Sequence, residues 1–72
     1  MLGFTQVESS NIDLLKHDSD TMELIVVFKS GAMYKYSDVS SREYEALLHA
    51  DSIGSHFNRH IKTGKSFEKF EG

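Results

Sequence analysis

The residues best suited to chemistry stand at the start of a predicted second helix and along its next turns. Ser52, Gly54 and Ser55 open this helix, and Arg59 and Lys62 follow near the same side. A helix start presents free N–H groups and the positive end of a dipole, and a glycine there lets a ligand approach the backbone. Because the planar fork of arginine suits phosphate oxygens, these residues predict an anion site. The alternative is an ordinary capped helix with a charged exposed face, since capping alone explains Ser52.

Two tyrosines flank a lysine in the run Tyr34-Lys35-Tyr36. Aromatic side chains on one strand face can stack on bases while a nearby lysine meets a phosphate, which makes Tyr36 and Lys35 candidate ligand-binding residues. The alternative is that both tyrosines belong to the core under the helices, with hydroxyls that reach a partner at the rim. The apolar pattern of the strand favours the core interpretation.

His56 and His60 are four residues apart on the same predicted helix, a spacing that can chelate a metal. The sequence places no third ligand near them, so we predict surface histidines that add positive charge at lower pH, with no metal site and no cofactor. Serine, histidine and aspartate occur in no recognisable catalytic order, and so small a domain rarely encloses a site that excludes water. We therefore expect a protein that is not an enzyme.

Composition limits the remaining classes of function. The 72 residues predict one domain over residues 1–72, and the absence of cysteine excludes disulfides and thiolate metal sites. The net charge of −3 argues against a general polyanion binder, so any phosphate contact must come from a local basic patch. No apolar run is long enough to span a membrane and no secretory signal opens the chain, so a cytoplasmic protein without a membrane partner is expected.

The β-rich stretch 21–36 predicts a hairpin around which the other elements are arranged. A three-residue turn over residues 29–31, with Gly31 left-handed, separates apolar from charged side chains more cleanly than a two-residue turn. It places Val26 opposite Tyr34 and Leu24 opposite Tyr36. Three apolar residues remain on the charged face, and we expect the N-terminal segment or a second subunit to cover them: Ile25, Val27 and Met33.

The other patterns complete an α+β fold. A possible edge strand within residues 1–8 and a strand over residues 12–18 precede the hairpin, and Ser40 with Glu43 fits the capping box of a first helix. We predict a three- to four-stranded antiparallel β-meander with two C-terminal helices packed on one face. Phe67 and Phe70 add a strand or pack over the helices. The predicted core is Leu24, Val26, Phe28, Tyr34, Tyr44, Leu47, Leu48, Phe57 and Ile61.

The order and spacing of several short motifs resemble those of the KTSC domain. The matching runs are Ser9-Ser10-Asn11-Ile12, Leu24-x-Val26-x-Phe28 with Gly31, Tyr34-Lys35-Tyr36, and Ala50-x-Ser52-x-Gly54-x-x-Phe57-Asn58-x-x-Ile61-Lys62. That family takes its name from a C-terminal extension of some lysyl-tRNA synthetases and also occurs alone in small bacterial and phage proteins. The resemblance implies no established activity, and the synthetase context suggests RNA binding by association.

Three functions fit these observations. The first is a non-catalytic binding module for a nucleotide-type phosphate ligand, which in a phage protein would sequester a small nucleotide signal. The net negative charge of the chain favours a discrete phosphate pocket over an extended surface that binds a polyanion. The second is an RNA-binding domain. The third is a protein-interaction module without a small ligand. We also expect a homo-oligomer, because an open sheet edge and leftover apolar surface invite pairing.

Overall fold

A five-stranded antiparallel sheet forms one layer of the protein. The computed structural model describes residues 3–70, apart from the side chain of Phe70. Each strand pairs with its sequence neighbour. The strands are β1 (Thr5–Gln6), β2 (Ile12–Asp18), β3 (Glu23–Phe28), β4 (Met33–Tyr36) and β5 (Phe67–Phe70). The predicted α+β fold is confirmed. The sheet has one strand more than the three to four expected, because short strands extend both of its edges. Residues 1 and 2 of the predicted first strand lie outside the described part.

The hairpin between β3 and β4 has the predicted three-residue turn. Gly31 has a φ of +98°, a conformation that costs glycine little. The Phe28 N–H donates to the Ala32 carbonyl and the Gly31 N–H donates to the Phe28 carbonyl, both at 2.9 Å. Val26 then pairs with Tyr34, so the predicted register is confirmed.

A bulge in β2 explains why its apolar residues do not alternate. The register against β3 shifts between Ile12 and Leu14, which makes Asp13 an extra residue. Ile12 and Leu15 are an odd number of residues apart, yet both are 0% exposed in the same core cluster. A regular strand would send them to opposite faces, and the extra residue brings both to the helix side.

The first helix, α1 (Ser41–Leu48), begins with the predicted capping box. The Glu43 N–H donates to Ser40 Oγ at 3.1 Å, and the Ser40 N–H donates to Glu43 Oε1 at 2.9 Å. Leu47 is fully buried and Tyr44 packs at the margin of the core. The apolar side of α1 therefore faces the sheet, as predicted.

The second helix, α2 (Ile53–Phe57), continues directly into a π-helical turn over Asn58–Lys62. Ser52 is its N-cap and accepts an N–H from the first turn. Phe57 and Ile61 are each 1% exposed, so the predicted apolar stripe packs on the sheet. Within residues 3–70, no helix is long and apolar enough to cross a membrane.

The core lies between the two helices and one face of the sheet. Five predicted core residues are buried, and four are half-buried at its margin: Phe28, Tyr34, Tyr44 and Leu48. The complete buried cluster is Ile12, Leu15, Leu24, Val26, Tyr36, Val39, Leu47, Phe57 and Ile61. Phe28 and Tyr34 both border a cleft.

A histidine that sequence reasoning left unplaced closes the end of the core near α1. His17 Nε2 lies 2.6 Å from the Val39 carbonyl oxygen, so this nitrogen carries the proton and donates. The ring also stacks on Tyr44, with centroids 4.9 Å apart. His17 therefore ties β2 to the start of α1 by a polar contact and an aromatic contact.

A lysine before β5 joins the C-terminal strand to the start of α1. Lys65 Nζ lies 2.8 Å from Glu43 Oε2 and donates to the Asp38 carbonyl at 2.7 Å. The Ser37 N–H also donates to the Ser66 carbonyl at 2.9 Å. These contacts fix the point at which the chain enters β5.

We expect replacement of Glu43 by Gln to lower stability at neutral pH by up to about 1 kcal/mol, since the ion pair is partly exposed. The Lys65 ammonium, and after it the Ser40 N–H, hold the pKa of Glu43 below its usual 4.5. A carboxylate whose pKa is lowered by folding stabilises the fold above its unfolded pKa and loses that contribution as pH falls through the folded pKa. Urea unfolding from neutral pH into the acid range should show wild type and Glu43→Gln converging. The control is Glu8→Gln, an exposed carboxylate that makes no ion pair among residues 3–70. If the difference in free energy of unfolding between Glu43→Gln and wild type stays constant with pH, the prediction is wrong.

The outer face of the sheet carries apolar residues as well as charges. Leu14, Val27 and Met33 are register partners across three strands, and all three are partly or fully buried. The core cluster does not include them, because strand alternation turns them away from the helices. Phe4 approaches this face at one edge, where Lys16 Nζ lies 5.5 Å from its ring centroid. Apolar surface therefore remains on the side opposite the helices.

Candidate functional site

A cleft of about 500 Å³ opens between the β3–β4 hairpin, β5 and the π-helical turn. Its volume lies in the range of small-ligand sites. Its walls are mainly apolar, and the polar groups stand at the edges. The lining residues are Ser10, Asn11, Phe28, Lys29, Ser30, Ala32, Tyr34, Tyr36, Lys62 and Phe67.

Aromatic rings form the floor and one wall of this cleft. The Phe67 ring centroid lies 5.7 Å from that of Tyr34 and 5.5 Å from that of Tyr36. Phe28 meets Tyr34 edge to face at 5.7 Å. Phe67 is 57% exposed although it is large and apolar, so one ring face is open to a ligand. Such an arrangement can stack against a planar ring.

The two tyrosines belong to the core region and also border the cleft. Tyr36 is 2% exposed and belongs to the buried cluster, while Tyr34 is half-buried beside it. Both also line the cleft. Burial, and after it the neighbouring Tyr34, raises the pKa of Tyr36 above 10. Its hydroxyl is therefore protonated at neutral pH and remains a hydrogen-bond donor.

Two lysines line the cleft. Lys29 comes from the hairpin turn and Lys62 from the end of the π-helical turn. Within residues 3–70, neither makes an ion pair. Among residues 3–70 the lining contains no carboxylate, so this part of the cleft is locally positive although the chain is acidic. Aromatic surface next to two cations suits a planar anionic ligand.

The predicted anion-site residues are only partly brought together. Ser52, Ser55, His56 and Arg59 share a shallow groove at the start of α2, which Asp51 also lines. Ser52 Oγ accepts the Ser55 N–H at 3.3 Å, so its cap function is filled. Lys62 instead lies in the aromatic cleft. The residues of the predicted anion site are thus divided between two separate surfaces.

The histidine pair lies in that shallow groove. The rings of His56 and His60 have centroids 4.4 Å apart. Desolvation, followed by the nearby charges of His60 and Arg59, lowers the pKa of His56 below 6.5. His56 is therefore neutral at pH 7 and becomes charged only in more acidic solution than usual. Among residues 3–70, no group of three or more His, Cys, Asp or Glu side chains is placed to hold a metal ion.

Gly54 is required by a loop of the protein itself. A Cβ at this position would lie 3.0 Å from Asn11 Oδ1 and 3.2 Å from Ser9 Oγ. These side chains belong to the loop between β1 and β2, and Ser9 Oγ accepts the Ile12 N–H at 3.3 Å. The space expected for a ligand above the backbone is thus taken by the Ser9–Asn11 loop.

We predict that Gly54→Ala lowers the free energy of unfolding by about 1 kcal/mol, because the side chains of Asn11 and Ser9 must move to admit the methyl group and this cost exceeds the helix propensity that alanine adds. Gly64→Ala is the matched control, since a Cβ there meets only the His60 carbonyl oxygen at 4.0 Å. Thermal unfolding of the two variants compares the same substitution in closed and open surroundings. If both alanine variants melt together, the loop contact does not constrain Gly54.

Lys35 lies on the outer face and does not accompany the tyrosines. Its Nζ lies 3.3 Å from Glu23 Oε2 and 3.3 Å from Glu68 Oε1. Hydrogen bonds to Glu23 and then Glu68 raise the pKa of Lys35 above 10.5. Because successive side chains on a strand point to opposite faces, a lysine between two inward tyrosines must point outward. Lys35 therefore does not contribute to the cleft.

Comparison with known proteins gives the family. A protein-family model described as the KTSC domain matches residues 8–67. The chain belongs to the KTSC domain family. The fold agrees, because the crystal structure of a KTSC domain protein from Yersinia pestis superposes with a TM-score of 0.89. That likeness has 28% sequence identity and covers 93% of this chain and 94% of the other.

Two bacterial proteins are similar to this KTSC domain in sequence. An uncharacterized protein of Stutzerimonas stutzeri is 43% identical over 56 residues, which span 78% of this chain and 79% of that protein. A lysine–tRNA ligase of Nostoc punctiforme is 37% identical over 62 residues. That match spans 86% of this chain and 11% of the ligase, so the KTSC domain corresponds to a small part of that enzyme.

Sequence reasoning selected only Tyr36 and Lys62 among the residues that line the cleft of this KTSC domain. Lys29 and Phe67 were not selected for the site, and neither were the cleft-lining residues of the Ser9–Asn11 loop. One signal was available, since Phe67 is a large apolar residue among charged neighbours. Its meaning depends on the pairing of Tyr36 with Phe67, which joins segments about thirty residues apart in the chain.

Proposed function

We propose that this KTSC domain is a non-catalytic binding module for a nucleotide-type ligand. The base stacks in the aromatic cleft against Phe67 and Tyr34, and the phosphate meets Lys62 and Lys29. The observation that carries this proposal is the exposed aromatic wall between two lysines that make no ion pair among the described residues. Base stacking on aromatic side chains contributes about 1–3 kcal/mol per base and accepts any base.

The chemistry of the lining supports binding without catalysis. The cleft residues within the described range 3–70 offer hydroxyl, amide and ammonium groups, and none of these is a histidine, a carboxylate or a thiol. General acid–base catalysis near neutral pH usually relies on histidine or on a carboxyl group with a shifted pKa. Serine and asparagine at the cleft edge are suited to hydrogen bonds with a base.

RNA is the second candidate ligand, and the similarity to part of a lysine–tRNA ligase favours it. An unpaired base of RNA would use the same stacking wall and the same lysines as a free nucleotide. A free nucleotide would fit the sequestration of a small nucleotide signal. We place either function in the cytoplasm, where both ligands occur.

Titration of three proteins tests the proposal and locates the site. Wild type, Phe67→Ala and Arg59→Ala are each titrated calorimetrically with nucleoside monophosphates, cyclic nucleotides and short RNA oligomers. We expect wild type to bind a member of this panel and Phe67→Ala to bind it about 5- to 100-fold more weakly, since a stacking contact is lost. Arg59→Ala should bind as wild type does.

Two results would contradict nucleotide binding in the aromatic cleft. If Arg59→Ala loses binding and Phe67→Ala does not, the ligand occupies the groove at the start of α2 that the sequence predicted. If wild type binds none of the nucleotides or RNA oligomers, the nucleotide-type function is wrong and a protein-interaction module takes its place.

We further propose that the domain self-associates through the outer sheet face. Two apolar residues there, Ile25 and Met33, are only half-buried, and they adjoin Val27, which is 9% exposed. Burial of such a patch against a second copy removes apolar surface from water. Light scattering should give a mass above that of the monomer that falls on dilution. The half-buried Met33 can be replaced by Lys to weaken such an interface, and a monomer mass for wild type and Met33→Lys alike, over a wide concentration range, contradicts it.

A further inference from the structure

We infer that the cleft takes a single unpaired nucleotide, either free or at an unpaired position of an RNA strand, and that adjacent nucleotides contribute little. This inference rests on the proposed function and specifies its ligand. Its basis is the combination of a concave aromatic wall with carboxylates along the two grooves that adjoin the cleft.

The shape of the cleft excludes a paired base. The open face of Phe67 stands beside Tyr34 inside a concavity of about 500 Å³. A base within a duplex is covered on both faces by its neighbours in the stack, so it must leave the helix to reach such a wall. Unpaired bases reach it without that cost.

The grooves next to the cleft disfavour binding of a longer nucleic-acid strand. One groove shares Lys29 with the cleft and is lined further along by Glu8 and Asp13. A second groove shares Ser10 and Asn11 with the cleft and leads past Glu8 and Asp51 toward α2. A phosphodiester strand laid along either path meets carboxylates, and like charges raise its free energy. On the side of the Ser9–Asn11 loop, the positive charge of the cleft therefore does not continue into the neighbouring grooves.

The two lysines of the cleft determine how strongly binding should depend on salt. Two lysines neutralise about two phosphate charges, so the slope of log affinity against log salt for a single-stranded oligomer should be about −1.4, from 0.7 per phosphate. A strand held along many lysines or arginines would give a much steeper slope.

A tryptophan at the wall reports the contact directly. The chain contains no tryptophan, so Phe67→Trp introduces a single indole. Phe4→Trp is the matched control, because Phe4 lies near Lys16 at the other side of the sheet. Both variants are titrated with uridine and adenosine 5′-monophosphates, a single-stranded octanucleotide, and a blunt-ended duplex of equal length, with quenching as the readout.

We expect the monophosphates and the octanucleotide to quench Phe67→Trp with affinities within about 10-fold of each other, and Phe4→Trp to remain unquenched. The duplex should bind at least about 10-fold more weakly than the octanucleotide. Two outcomes overturn the single-nucleotide inference and leave the proposed function standing. In the first, the octanucleotide binds far more tightly than the monophosphates, and its log affinity falls against log salt with a slope of about −4 or steeper. In the second, the duplex binds as tightly as the octanucleotide. If calorimetry with wild type detects none of these ligands, both fail.

Discussion

Replacing Phe57 by Ala should lower the free energy of unfolding by about 3–5 kcal/mol, the largest loss of stability that we expect from one substitution. Phe57 is 1% exposed and lies at the centre of the aromatic part of the core. Its ring meets Tyr36 edge to face at 5.2 Å and Phe28 at 5.9 Å. Truncation leaves a cavity between α2 and the sheet that neither rigid element can close. For a domain of this size the loss is a large share of total stability.

Phe67→Ala is the matched control for this prediction. The residue type is the same, but Phe67 is 57% exposed on the edge strand. Its removal gives up ring contacts with two tyrosines, for which we expect about 1 kcal/mol. Chemical unfolding of wild type and both variants gives the comparison. Equal stability of Phe57→Ala and Phe67→Ala would mean that α2 does not pack on the sheet through Phe57.

The hairpin and the helices were predictable because local rules determine them. A three-residue turn and strand parity place Val26 opposite Tyr34, and a capping box identifies the start of α1. The bulge at Asp13 was not predictable in the same way. The sequence showed only that Leu15 breaks the alternation, and the contact with β3 determines which residue is extra.

The composition of the cleft depends on contacts between distant parts of the chain. Lys29 lies on the hairpin turn, the Ser9–Asn11 loop precedes β2, and Phe67 begins the last strand. Each of these segments looks ordinary in the sequence, and only the pairing of β5 with β4 carries the ring of Phe67 to the tyrosines. A search for local motifs therefore finds one side of the cleft and misses the other.

The separation of Lys62 from Arg59 has a local cause. Spacing along an ideal α-helix, at 3.6 residues per turn, puts Ser52, Arg59 and Lys62 near one side. The helix instead becomes π-helical over Asn58–Lys62, and its hydrogen bonds then span five residues in place of four. The side chains beyond that point rotate relative to the α-helical expectation. Lys62 is consequently found in the aromatic cleft.

We expect Lys62→Glu to weaken nucleotide binding more than any other single change of charge. The substitution removes one of the two cleft lysines and places a carboxylate against the ligand phosphate. Loss of a charge-assisted hydrogen bond contributes about 1.5–3 kcal/mol, which is about a 10- to 150-fold loss of affinity, and repulsion adds to it. The melting temperature should change little, because Lys62 is exposed and makes no ion pair among residues 3–70.

Lys16→Glu separates a local effect from a change in overall charge. Either substitution removes one positive and adds one negative charge, so the net charge goes from −3 to −5 in both variants. Lys16 lies on the outer sheet face, opposite Ile25 in the β2–β3 register. Both variants are titrated at moderate salt with the ligand that wild type binds. We expect a large loss of affinity for Lys62→Glu and a loss of less than about 3-fold for Lys16→Glu, because salt screens the field of a distant charge. Equal losses in the two variants would show that the ligand responds to net charge, and the phosphate would then not be held in the cleft.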